Sequence, residues 1–207
     1  MKKYILLFLM IWAMTSSDDS HRWYLNRVVF CPYDIYSLDS EKLDKAEIQI
    51  YLNILLSSNK INMSSKKKEQ ITEVLYIGQK EYNVNYQEVL NIIMLETRFK
   101  NVKSRRNKNG TYDYGYCQIN EINIDRLYSK SANILSRYSL PYNSDNVLDP
   151  SLNIMSAIIH IAYLQNRTNG DNWIIAYNRG LSGSKRVIDK YDNEYYRKYY
   201  SLLLAEI

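Results

Sequence analysis

Along most of the chain apolar side chains recur at steps of three and four, the spacing of helices that turn one face inward. The first such run, "SLDSEKLDKAEIQIYLNILLSSNK" at 37–60, places Leu43, Ala46, Ile50, Ile54 and Leu55 on one face behind a cap at Asp39 or Ser40. "SSKKKEQITEVLYIGQKEYN" at 64–83 predicts a second helix, with Ile71, Leu75 and Tyr82 inward, the lysine run outside, and Gly78 as a weak point. "VNYQEVLNIIMLETRFK" at 84–100 is the best-marked helix. Asn85 and Glu88 form an Asn-x-x-Glu capping pair that sets its start near residue 86. Val89, Ile92, Ile93, Glu96 and Phe99 then share one face, so a carboxylate stands on the apolar stripe.

The pattern breaks through "SRRNKNGTYDYGYCQIN", where Asn109-Gly110 signals a turn and residues 112–116 suit a short strand-like excursion. A helix resumes by Asn123. "LPYNSDNVLDP" reads as a connection, after which Asp149 caps and Pro150 opens a helix with the body "SLNIMSAIIHIAYLQNRT". "NGDNWIIAYNRG" predicts a short helix capped by Asp171 or Asn172 and stopped at Gly180, and "DNEYYRKYYSLLLAE" a last one. The sequence holds only 6 Gly and 3 Pro, too few for a many-turned β-sandwich. No internal repeat, heptad series or low-complexity linker interrupts it.

Composition refines this mainly helical picture. A chain of 207 residues, 46% hydrophobic and 24% charged, is long enough for one domain with a buried core. Its first residues, "MKKYILLFLMIWAMTSSDDS", have the layout of a secretory signal: two lysines, an apolar run from Tyr4 to Met14, then small polar residues. That run is shorter than the roughly 20 residues a helix needs to span a bilayer. We therefore expect export to the periplasm or cell envelope, with residues 1–16 as a cleaved signal or, alternatively, a membrane tether. Residues 17–69 form a helical N-terminal extension and 70–207 the main domain. Whether the extension braces that domain or docks a partner in a cell-envelope machine stays open at this point.

Loss of the signal removes Lys2 and Lys3 and lowers the formal charge from +5 to about +3. Such weak positive charge suits an anionic envelope polymer and no nucleic acid, which calls for a clustered basic face. One basic cluster exists, "KNVKSRRNK" at 100–108, and it reads either as a solvated loop or as a rim that attracts an acidic polymer. The 21 Tyr fit nucleotide bias in the gene better than the alternative, a sugar-stacking surface. Cys31 and Cys117 could pair in an oxidising compartment. With only His21 and His160 beside them they make no zinc spacing, so no metal and no cofactor is expected.

Glu96 carries the chemistry. A carboxylate on an apolar stripe has its charged form disfavoured, which raises its pKa and makes a general acid at neutral pH. On this helix alone the competing reading, a helix-end charge answered by Arg98 or Lys100, is the stronger.

Further motifs change that balance. "ETRF" at 96–99, "GYCQI" at 115–119, "DPSLNI" at 149–154 and "AYNRG" at 176–180 occur in this order. Together they resemble the lysozyme-like domain of the soluble lytic transglycosylase family over about residues 70–205. Thr97 stands where the family has Ser, Tyr116 and Cys117 where it has Leu and Met, and Ala157 where a Gly is common. The resemblance implies a mainly α, lysozyme-like (goose-type) fold with a short irregular or β-like excursion beside the active-site cleft. It also implies an enzyme of peptidoglycan glycan strands, with Glu96 as its one catalytic residue and a 1,6-anhydro-muramic product. Carried over motif by motif, Gly115, Tyr116, Cys117, Gln118, Tyr177 and Asn178 become substrate-binding residues, with Gly115 letting backbone approach the sugar and Tyr177 near the carboxyl.

Two rivals remain. A second acid, Asp113 or Glu121, would make a hydrolytic muramidase of goose-lysozyme type. The other rival is a non-catalytic glycan-binding or envelope-assembly protein.

Overall fold

The computed structural model of the protein describes residues 40–168, 172–187 and 189–204. The signal-like segment, Cys31 and the caps at Asp39 and Asp171 lie outside these residues. Asp44–Ile207 forms a compact unit of its own. Among the described residues there are seven α-helices: α1 Ser40–Ser58, α2 Ser65–Tyr82, α3 Tyr86–Thr97, α4 Glu121–Arg137, α5 Pro150–Arg167, α6 Asn172–Ser184 and α7 Glu194–Leu204. A two-stranded antiparallel hairpin, β1 Asp113–Tyr114 and β2 Ile119–Asn120, interrupts them, pairing Asp113 with Asn120 and Tyr114 with Ile119. The mainly helical expectation, strand-like excursion included, is met. None of the described helices is long and apolar enough to cross a membrane.

The helix starts follow the capping chemistry. Asn85 accepts the Gln87 backbone N–H at 2.9 Å and opens α3 at Tyr86. Asp149 accepts the Leu152 N–H at 2.9 Å ahead of Pro150 and opens α5. Asn120 does the same for α4 through Ile122 N–H, two residues earlier than the apolar pattern suggested. Gly180 has φ 72 and breaks α6 into two helical pieces, so the stop expected there is a kink.

The core is organised around α5, which is buried on nearly every side from Ser151 to Ile159. α2, α4 and α6 pack against it. Gly78 is where α2 meets α5: a Cβ there would overlap Ile158 Cδ1, so this glycine is a close-packing site and no point of weakness. α1 differs in register from the expectation. Ala46 and Ile50 are exposed, and the buried face is Ile48, Tyr51, Leu52, Leu55 and Leu56. Both stripes have helical spacing, but the second carries the larger apolar groups and wins the core. Tyr51 packs edge-on against Tyr86 at 5.7 Å, and Tyr86 donates its hydroxyl to Glu47 at 3.0 Å, so α1 is fastened to α3.

Candidate active site

Glu96 lies in the last turn of α3 and reaches a cleft of about 610 Å³. The helix stops just beyond it. Arg98 and Phe99 both take left-handed backbone (φ 51 and 59), Arg98 N–H closes on Met94 O, and Phe99 turns back into the core. The carboxyl is therefore fixed at an element end by packing on both sides. Burial raises its pKa; the hydroxyl of Tyr195, donating to Oε1 at 2.5 Å, opposes that rise, and the negative charge of Asp113 adds to it. The net direction is upward, as an acid working near neutrality requires.

Tyr195 was not legible in the sequence as a site residue. It arrives from α7, 99 residues along the chain, in the tyrosine-rich run "EYYRKYY". Its neighbours explain the placement. Tyr196 and Tyr199 are buried, Tyr199 meets Trp173 edge-on at 5.6 Å, and Asn193 accepts the Tyr196 N–H at the start of α7. Those anchors fix the rotation of α7 and leave Tyr195 facing Glu96. Part of the tyrosine excess is thus core packing.

The hairpin turn at 115–118 forms the wall beside Glu96, and the other motifs hold it. The Thr97 hydroxyl lies 2.9 Å from the Tyr116 carbonyl oxygen. Asn153, fully buried on α5, donates to Tyr114 O at 2.7 Å and accepts from Cys117 N–H at 2.9 Å. Tyr177 donates its hydroxyl to Cys117 O at 2.7 Å. Three separate helices therefore satisfy a buried turn that pairs few of its own backbone groups. The four sequence motifs therefore meet at one place in the fold.

Several predicted residues have a different place from the one expected. Gly115 has φ 80, and a Cβ on it would overlap the Asn153 side chain. Its missing side chain makes room for Asn153 and not for a ligand. Tyr116 and Cys117 are buried and do not line the cleft, so they act as backing for the wall and not as its surface. Cys117 is a buried free thiol among the described residues, and burial pushes its pKa well up. Gln118, at φ 51, does line the cleft; its Nε2 donates to Gly115 O and Val102 O, which leaves the side-chain oxygen for a ligand. Tyr177 lines the cleft with its hydroxyl committed to Cys117, and Asn178 is exposed on the cleft.

Of the two candidate second acids, Asp113 shares the cleft with Glu96 and Glu121 does not. Asp113 accepts Asn107 Nδ2 at 2.9 Å and Asn120 Nδ2 at 2.6 Å, one on each carboxylate oxygen. Glu121 accepts the Tyr112 backbone N–H. Both are thereby tied into the hairpin. Among the described residues no group of three His, Cys, Asp or Glu side chains could hold a metal ion.

A search of curated proteins finds no match to this chain. A family model, the transglycosylase SLT domain, matches residues 74–200, from the middle of α2 into α7, and so takes in Glu96, the hairpin turn, Asn153, Tyr177 and Tyr195. With more than half of its length matched, the chain belongs to the transglycosylase SLT domain family.

Proposed function

We propose that this protein is an exported peptidoglycan lytic transglycosylase that cleaves the β-1,4 bond between N-acetylmuramic acid and N-acetylglucosamine with Glu96 as its one catalytic residue. Membership of the SLT family supports a glycan-cleaving function of the lytic transglycosylase type with peptidoglycan as substrate. The observation that carries the finer reading is Glu96 itself, held at the cleft with a raised pKa and a single hydroxyl donor on Oε1.

In the first step protonated Glu96 gives its proton to the glycosidic oxygen as the bond from C1 breaks, and the N-acetylglucosamine side leaves as an alcohol. The substrate's acetamido group steadies the developing positive charge at C1. Glu96, now a carboxylate, takes the proton of the muramic C6 hydroxyl as that oxygen bonds to C1. The 1,6-anhydro ring closes, Glu96 is protonated again, and no water is consumed. Most glycosidases that use water or an enzyme nucleophile need a second carboxylate at a set separation. Asp113 is the candidate for that part here, and its two amide donors favour a structural role instead. Its charge helps keep Glu96 protonated.

Mass spectrometry of digested sacculi tests the reading. Wild type should release anhydro-muropeptides, Glu96→Gln should fold normally and release none, and Asp113→Asn should retain anhydro products. Reducing-end products alone from the wild type would instead make it a hydrolytic muramidase, and no cleavage at all would make it a binding protein.

A further inference from the structure

The proposed chemistry leaves one cleft residue without a task. His160 stands on α5 and lines the cleft, its ring near-parallel to Tyr163 at 6.3 Å (17°) and tilted against Tyr177 at 5.6 Å (54°). Its two nitrogens are in different surroundings. Nδ1 is buried with no hydrogen-bond partner. The Nε2 edge is the one left open, and the cleft is what it opens onto.

A neutral imidazole carries its proton on one nitrogen only. Orphaned buried N–H groups are rarer than orphaned acceptors, so the proton belongs on Nε2 and the enclosed Nδ1 is the bare acceptor. Burial, reinforced by the charge of Arg126, lowers the pKa to about 4, and the ring stays neutral over the range in which an ordinary histidine titrates. His160 is thus neither acid nor base at working pH. It is a fixed N–H donor.

Beside that donor the exposed Tyr163 ring, stacked on the imidazole, lines the cleft and offers an apolar face. Leu164 lies one helical turn further along the same face of α5, and Leu127 and Ala176 also line the cleft. A hydroxyl could take the hydrogen bond but would leave this apolar surface wet. A carbonyl oxygen with a methyl group beside it uses both.

We propose that His160 is a specificity-determining residue that donates Nε2–H to the acetamido carbonyl of an N-acetylated sugar, with the acetamido methyl against the Tyr163 ring. This rests on the glycan reading above. The donor's stacked and tilted tyrosine neighbours hold the ring in the one orientation that serves it.

The test is binding, measured by titration calorimetry on the full chain carrying Glu96→Gln, so that turnover plays no part. The probes are a tetramer of N-acetylglucosamine and the matching tetramer of glucosamine. Adding His160→Phe, which keeps an aromatic ring without the donor, should weaken the N-acetylated tetramer about tenfold, the scale of one net hydrogen bond, and leave the glucosamine tetramer unchanged. His160→Gln, with an amide N–H at similar reach, should restore most of that loss. Equal weakening of both tetramers, no weakening, or no binding of the N-acetylated tetramer overturns the proposal, and thermal melting shows that each variant is folded. Anhydro-product release by the wild type is scored separately. Failure here leaves the cleavage reading standing, and failure of that reading leaves this result readable.

Discussion

Glu96 and Tyr195 are joined by one hydrogen bond, and its sign can be worked out. The Tyr195 hydroxyl donates to Oε1, which favours the carboxylate and holds the Glu96 pKa below the level burial alone would give. Replacing Tyr195 by Phe removes that opposing effect, so the Glu96 pKa rises further. The first step uses the protonated acid, so activity is lost as pH rises through this pKa. Tyr195→Phe should therefore move the alkaline limb of the pH–rate profile to higher pH while kcat falls about tenfold, because the carboxyl loses its positioning partner. An unmoved or downward-moved limb in a glycan-release assay run across pH would show that Tyr195 does not set the acid. Nothing in the local sequence singles Tyr195 out: it is one of four tyrosines in "EYYRKYY", and only the packing of Tyr196 and Tyr199 decides which of them faces α3. Glu96 was legible for the opposite reason. Its neighbours in sequence, Val89, Ile92 and Ile93, are also its neighbours on the helix face, so period and site coincide.

At the scale of elements, the hairpin turn at 115–118 is a short segment held by other elements more than by itself. Local chemistry predicted where the flanking helices start, since Asn85 and Asp149 act within a turn of their own positions. It could not predict that Asn153, a buried amide in the apolar stretch of α5, is the partner of the turn. The signal was present as an amide that would need satisfying once buried, but its partners lie 36 and 39 residues away. In α1 the difficulty was different: two stripes of equal period competed, and the one with the larger apolar groups won the core. Gly115 and Asn153 make this coupling measurable. Gly115→Ala forces a side chain into left-handed backbone and against Asn153, and should cost about 3 kcal/mol in urea unfolding. Asn153→Ala strips the Cys117 N–H and Tyr114 carbonyl of their partner and should cost about 2 kcal/mol. The double variant should cost less than the sum, because the smaller residue at 153 relieves the overlap. Strict additivity would mean that the two residues do not meet.

Charge belongs to the whole molecule, since a net +5 chain attracts or repels a polymer as one body. Five of its 27 Lys and Arg lie in one loop, at 100–108. The loop from Lys100 to Lys108 is no loose tether. Ser104 N–H bonds Asp113 O at 2.8 Å, Asn107 N–H bonds Thr111 O at 2.8 Å, and Lys103 lies 3.7 Å from the Tyr112 ring centre. Held in this way, the loop brings Asn107 to the cleft, and its cations are exposed. Among the described residues no carboxylate forms a salt bridge with Lys100, Arg105 or Lys108. Unanswered charge on an exposed loop contributes little to folding, so removing it tests whether the cluster attracts an acidic polymer without disturbing the fold. Changing Lys100, Arg105 and Lys108 together to Gln should weaken binding of the Glu96→Gln protein to isolated sacculi several-fold at low ionic strength. The difference should shrink towards nothing near 0.5 M salt, where charges more than about 4 Å apart are screened. Melting temperature should stay within about 1 °C of the parent, since none of the three side chains holds the loop in place. Equal binding by the two proteins at low salt, read in a sedimentation assay, would reduce the basic cluster to a solvated loop and leave recognition to the cleft alone.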